Sequence, residues 1–220
     1  MKRVRRAIRN VAHRHRPTVL NRGTILRRIA KKFQLIYFGK VDQNKDEHDL
    51  VRGITVSPAH NDDHYMVGTH DGRNITIVDR SDVLGYGKQE VRYYWLTVRV
   101  ELDVLSHILL FPLHHENKSY QQLVAHHHIV PVRSLLDIQY HDEFLRRYEV
   151  YGFAGHAHMV ESTLSPEIAQ VIAARFWPSA IEIDGKYLYV YLDEKALSEN
   201  KTTAMVDAAV WLADRLSEKA

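Results

Sequence analysis

From Tyr94 to Asp103 the chain alternates. Tyr94, Leu96, Val98, Val100 and Leu102 interleave with Trp95, Thr97, Arg99, Glu101 and Asp103. A period of two is that of a strand whose successive side chains point to opposite faces, so the chain must build a sheet with one apolar face to cover. Further strand signals surround it. Leu50 to Val56 is one, and Arg147 to Gly152 another. Tyr65–Thr69 and Asn74–Val78 flank Asp71-Gly72, a dipeptide that tolerates positive φ at both centres of a tight turn and so predicts a hairpin. Ala180–Ile183 and Lys186–Leu192 flank Asp184-Gly185 and predict a second one. The pair is compatible with a duplication, although Asp-Gly is common in hairpins. Residues 106–135 permit a short strand or a short helix.

Helices must supply the cover. Residues 18–36 place Ile25, Ile29 and Phe33 along one side, with Arg27, Arg28, Lys31 and Lys32 on the other, so this helix is expected to dock on the body. Residues 1–16 form a weaker amphipathic stripe of Val4, Ala7, Ile8, Val11 and Ala12, ended by Pro17, and are expected to be loose. Ser165-Pro166-Glu167 opens a helix with a capping hydroxyl, proline at the first position and a carboxylate near the positive dipole end. Its buried face is Ile168, Val171, Ile172 and Phe176, and Pro178 follows its end. Asn200 can cap a final helix that turns Met205, Ala209, Leu212 and Leu216 inward. The expected fold is α+β: a basic N-terminal helical arm, an antiparallel sheet, and a C-terminal strand-helix-hairpin-helix unit. The divisions are a basic helical arm at 1–32, an antiparallel β-rich part at 33–105, a connecting region at 106–143 and an α+β C-terminal unit at 144–220.

Charge is distributed unevenly along this plan. The first 41 residues carry 13 Lys and Arg and no Asp or Glu, whereas the remaining 179 carry 17 Lys and Arg against 27 Asp and Glu. An acidic body with a basic arm draws the arm to polyanions or to the body itself. The chain has no cysteine, which excludes disulfides, thiolate nucleophiles and cysteine-ligated metals. No apolar run approaches the roughly 18 residues of a membrane span; Ile108 to Leu113 is strand-length. The basic N-terminus lacks an uninterrupted apolar core, so no secretory leader is expected. These features suit a cytoplasmic protein, with the inner membrane face as one surface the arm can reach.

One stretch carries a resemblance. Phe144, Tyr148, Val150, Tyr151 and Gly152 precede Leu164-Ser165-Pro166-Glu167-Ile168, and then Ile181-Glu182-Ile183-Asp184-Gly185-Lys186-Tyr187-Leu188-Tyr189-Val190-Tyr191. This resembles the C-terminal part of a broad set of bacterial proteins of unknown function. Tyr37-Phe38-Gly39, Val41-Asp42-Gln43, Asp46-Glu47-His48, Leu50-Val51-Arg52-Gly53, Asp63-His64-Tyr65 and Val67-Gly68-Thr69 make the chain similar to hypothetical proteins of Saccharibacteria and related small-genome bacteria, over residues 33–192. The resemblance implies an α+β body and no catalytic motif. Relatives in the broader set often sit beside membrane-spanning segments, and this chain has no such segment.

The residues themselves suggest two functions. The first is a non-catalytic interaction module. Lys2, Arg3, Arg5, Arg6, Arg9, Arg14, Arg16, Arg27, Arg28, Lys31 and Lys32 would contact nucleic acid, an anionic membrane face or an acidic protein, since phosphate contacts need density rather than fixed spacing. A membrane-inserting version would want Trp, Phe or Leu, which residues 1–16 lack. No cofactor is expected. The alternative is a metal-dependent hydrolase. His60, Asp63, His64 and His70, with Asp62 and Asp71 nearby, would converge in the hairpin on a divalent metal that activates water, although their spacing matches no established zinc motif. His126-His127-His128 cannot all face one ion in regular structure; His156 and His158 would share a face if extended. Tyr187, Tyr189 and Tyr191 lie on one strand face, where they could stack bases. Packing beneath a helix, with Leu188, Val190 and Leu192 toward another layer, is the favoured expectation. No G-x-G-x-x-G, P-loop or G-x-S-x-G occurs.

Overall fold

The computed structural model describes residues 21–40, 51, 53, 60–84, 91–113, 129–192 and 197–218. The first helix, α1 (Arg22–Lys32), is capped by Asn21, whose side chain accepts from the Thr24 N–H at 2.8 Å. Its apolar side (Ile25, Leu26, Ile29, Ala30) is buried, and Phe33 closes it. Burying each large aliphatic side chain contributes about 1.5–3 kcal/mol, which is why this helix docks as expected. Strands β1 (Ile36–Gly39), β2 (Asn61–His70), β3 (Arg73–Leu84) and β4 (Val91–Pro112) follow as an antiparallel run. The β2–β3 turn has Asp71 at φ 46° and Gly72 at φ 82°, the two positive values that the Asp-Gly signal predicted. Of the strand predicted at 50–56, all but Val51 and Gly53 lies outside the described residues, and neither of those two is in a strand.

After β5 (Val130–Pro131) and a 3-10 turn at Arg133–Leu135 come α2 (Asp142–Arg147), β6 (Tyr148–Gly152), α3 (Ala157–Thr163), α4 (Pro166–Phe176), β7 (Ala180–Leu192) and α5 (Glu199–Ser217). The sheet order is β1-β2-β3-β4-β6-β5, and β7 pairs with β4. The segment 106–112, where strand and helix were both open, is the second half of β4.

The second Asp-Gly is not a hairpin. Both halves of β7 pair with β4, from Leu96↔Leu192 to Leu110↔Ile181. Between Glu101↔Tyr187 and Ser106↔Gly185, β4 inserts residues 102–105 opposite Lys186 alone. Such an insertion bends a strand, and Gly185 at φ 56° accommodates it. The bend is sharp. Tyr191 donates to Glu182 at 2.5 Å although nine residues separate them, a span of about 30 Å in a straight strand. The β4–β7 ribbon therefore folds over on itself and brings one sheet face to the inside of the bend.

Helices cover the other, outer face. Leu96, Val98, Val100, Ile108 and Leu110 of β4, with Leu188, Val190 and Leu192 of β7, join one core with α1, α4 and α5. Ser165 caps α4 by accepting from Ile168 N–H at 3.4 Å, as its sequence predicted, and Ile168, Ile172 and Phe176 are buried. The cap of α5 is Ser198 rather than Asn200, which sits in the first turn; Thr202 N–H bonds Ser198 O at 2.9 Å. The tyrosines are reversed relative to expectation. Leu188, Val190 and Leu192 lie under the helices, while Tyr189 and Tyr191 pack inside the bend with Trp95, Val78, Leu109 and Phe111. The bend is what turns the apparently polar side of Tyr94–Asp103 into a second interior: Trp95 and Thr97 are fully buried there.

Candidate functional site

The interior of the bend is charged. Arg80, 1% exposed, donates to both oxygens of Asp62 at 2.7 and 2.8 Å and to the Val51 carbonyl at 2.6 Å. Arg99 donates to Thr76 Oγ1 at 3.0 Å and stacks over the Tyr187 ring at 4.5 Å. These two arginines come from neighbouring strands, so the sequence of β7 alone gives no sign that cations accompany its tyrosines. Burial, with the Glu182 carboxylate beside it, pushes the Tyr191 hydroxyl well up, so it stays protonated and donates to Glu182. Tyr189 and Tyr191 are closed to solvent and cannot stack bases. Gly53 is required here: a Cβ would stand 2.0 Å from Tyr191 Oη.

At the end of the bend, His107 Nδ1 lies 3.0 Å from Asp184 Oδ1, and its ring packs on Phe153 at 4.8 Å. The Asp184 hydrogen bond raises its pKa above 6.5; burial opposes this and Glu182 adds to it. A raised folded-state pKa stabilises the fold fully below the unfolded value and loses that contribution as pH rises through the folded value. His107→Gln should therefore destabilise more at pH 5 than at pH 8. Urea melts of both proteins at the two pH values check this; an equal loss at each would show that protonation of His107 contributes nothing.

The predicted metal ligands do not meet. Asp62 is engaged by Arg80 inside the bend. Asp63 accepts from Asn61 at 3.0 Å. His64, held at φ 53°, hydrogen-bonds Tyr37 through Nδ1 and leaves so little room that a Cβ on Gly23 would be 3.0 Å from its Cε1. His60 and His70 flank the two ends of β2, roughly 30 Å apart at strand rise. His70 instead contacts Asp207 at 3.2 Å and Asp71 at 3.6 Å, with Phe33 edge-on at 4.6 Å. Among the described residues no three His, Asp or Glu could hold an ion. His126, His127 and His128 lie outside the described residues. His156 ends a 3-10 turn and His158 lies in the first turn of α3, so the extended geometry expected for them is absent.

The predicted basic contacts divide. Lys2, Arg3, Arg5, Arg6, Arg9, Arg14 and Arg16 lie outside the described residues. Arg27, Arg28, Lys31 and Lys32 are all exposed on the outward side of α1. Arg27 lies over the Tyr37 ring at 5.5 Å, Lys32 over Phe33 at 5.9 Å, and Arg28 is 3.3 Å from Glu199. An ion pair that sequence reading missed fixes the start of this helix: Arg22 donates to both oxygens of Asp79 at 2.6 Å. The residues are 57 apart in sequence and carry no motif.

Sequence reading also missed a cleft of about 670 Å³ between α5 and the turn after α4. One wall follows α5 from Lys201 past Ala204 and Ala208 to Trp211, about 15 Å of helix. Trp177 and Pro178 form the facing wall, with Arg175 beside them. The Arg175 guanidinium lies 5.4 Å over Trp211, and Arg147 lies 5.7 Å over Trp177. Trp177-Pro178 directly after a helix was the available signal: a large apolar residue at a helix stop, 43% exposed.

The chain is thus an α+β protein with helices on one face of a strongly bent antiparallel sheet. No helix among the described residues is long and apolar enough to cross a membrane. No protein-family model matches it, and no curated protein does. The crystal structure of the mycobacterial trehalose monomycolate transport factor A, TtfA, is similar, with a TM-score of 0.52 over 90% of this chain and 93% of that one. At 11% identity the likeness is one of fold.

Proposed function

We propose that this chain is a non-catalytic interaction module whose basic N-terminal region contacts an anionic partner. The carrying observation is the charge distribution: 13 Lys and Arg and no acidic residue in the first 41 positions. The geometry of α1 supports it. Four of those cations stand on the outer face of a helix held by its buried side and by the Arg22–Asp79 pair. A cationic face on a fixed helix presents its charge without the ordering entropy that a free tail loses on binding. A nucleic acid, the inner membrane face or an acidic protein would each offer the required density of negative charge.

Neutralising this face tests the reading. Replacing Arg27, Arg28, Lys31 and Lys32 together by glutamine should weaken binding to duplex DNA or to anionic vesicles on the order of a thousandfold, at about 1 kcal/mol per cation near an anionic surface. Fluorescence anisotropy and vesicle co-sedimentation at low salt measure it. Unchanged affinity for both would remove α1 from the interface.

A further inference from the structure

We infer that the cleft between α5 and the α4–β7 turn binds a single-chain amphiphile with an anionic head, of the long-chain fatty-carboxylate class. Its volume of about 670 Å³ is in the range of small-molecule sites, roughly 300–1,000 Å³. The α5 wall is smooth because Ala204 and Ala208 stand where larger side chains would fill the space, and Met205 adds an adaptable apolar surface. The groove is therefore elongated and apolar through its middle.

Charge selects the head group. Arg175 lines the cleft and, among the described residues, has no carboxylate partner; its guanidinium lies over the Trp211 ring. Lys201 lies toward the opposite end of the α5 wall. The acidic group on the lining, Asp207, already faces His70 at 3.2 Å. A guanidinium stacked on an aromatic ring is pre-organised to receive a carboxylate.

Backbone chemistry selects an acyl chain over a peptide. The α5 backbone is satisfied within its helix. On the facing wall, Ser179 N–H bonds Phe176 O at 2.6 Å and Ser179 O accepts from the Tyr148 hydroxyl at 3.0 Å. A peptide laid in the groove would leave its own amides unpaired, which is unfavourable, whereas an alkyl chain has none to pair.

The test is calorimetric titration of the full chain with dodecanoate and with dodecanol, both below micelle formation, with tryptophan fluorescence alongside. The expected result is saturable binding of one dodecanoate per chain. Arg175→Gln should weaken dodecanoate about tenfold, as for loss of a charge-assisted hydrogen bond, and leave dodecanol unchanged. Ala208→Phe should abolish binding of both; if circular dichroism shows that variant unfolded, Ala204→Leu, at an exposed position, serves as the block. Removing residues 1–16 should leave dodecanoate binding intact, so this site and the basic interface fail independently. No saturable binding, equal loss of both ligands in Arg175→Gln, or full binding in a folded cleft-filling variant would each overturn the assignment.

Discussion

Replacing Asp62 by alanine is expected to destabilise the protein by about 3–5 kcal/mol, the usual effect of removing one member of a buried ion pair. Arg80 is 1% exposed and Asp62 4%. The carboxylate takes two of the guanidinium's hydrogen bonds, at 2.7 and 2.8 Å. Without it the Arg80 guanidinium loses two charge-assisted acceptors inside the bend, and water cannot replace them unless the sheet opens. Removing both charges should be less damaging than removing one, so Asp62→Ala/Arg80→Leu should recover part of the loss. Urea denaturation of the three proteins measures this through the midpoint, provided the slope is unchanged. A loss below about 1 kcal/mol for Asp62→Ala would mean that the interior of the bend is open to solvent.

Trp95→Ala should have a similarly large effect, about 3–5 kcal/mol. Trp95 is the largest fully buried side chain, and it packs with Leu109 and Phe111 from the other half of the same strand. It therefore ties the two arms of the bend together. Trp177→Ala removes the same side chain from a position 43% exposed and should change stability far less. Chemical denaturation of both variants compares them directly. Equal losses would show that the inner core does not hold the bend.

The contrast between the two Asp-Gly dipeptides shows what sequence pattern carries. Asp71-Gly72 makes the tight turn its residues favour, and its two flanks pair with each other as β2 and β3. Asp184-Gly185 has the same local preference, but β4 runs beside both flanks and satisfies their backbone groups, so the chain continues through a corner. Periodicity likewise identified the Leu96–Val98–Val100 face correctly and said nothing of curvature. Trp95, Thr97 and Arg99 read as the open side until the sheet folds over them. The α1 and α4 helices were legible because capping and apolar spacing are local signals. The Arg22–Asp79 and Arg80–Asp62 pairs, and the cleft walls drawn from α4 and α5, join residues at least 18 positions apart with no spacing rule to announce them. The alternative metal site at His60–His70 fails for the converse reason: neighbours in sequence along a ten-residue strand are far apart in space.

The most direct test of the anionic-partner account is the salt dependence of binding to duplex DNA and to anionic vesicles, for the intact chain and for residues 17–220. The truncation removes seven cations, Lys2 through Arg16. With five or six phosphates neutralised, log affinity for DNA should fall against log salt with a slope near −5, at ~0.9 per contact. The truncated chain should bind more weakly with a shallower slope, and vesicle binding should weaken in parallel if membrane is the partner. Affinity that is insensitive to both salt and truncation, or no binding to either partner at low salt, would contradict the account.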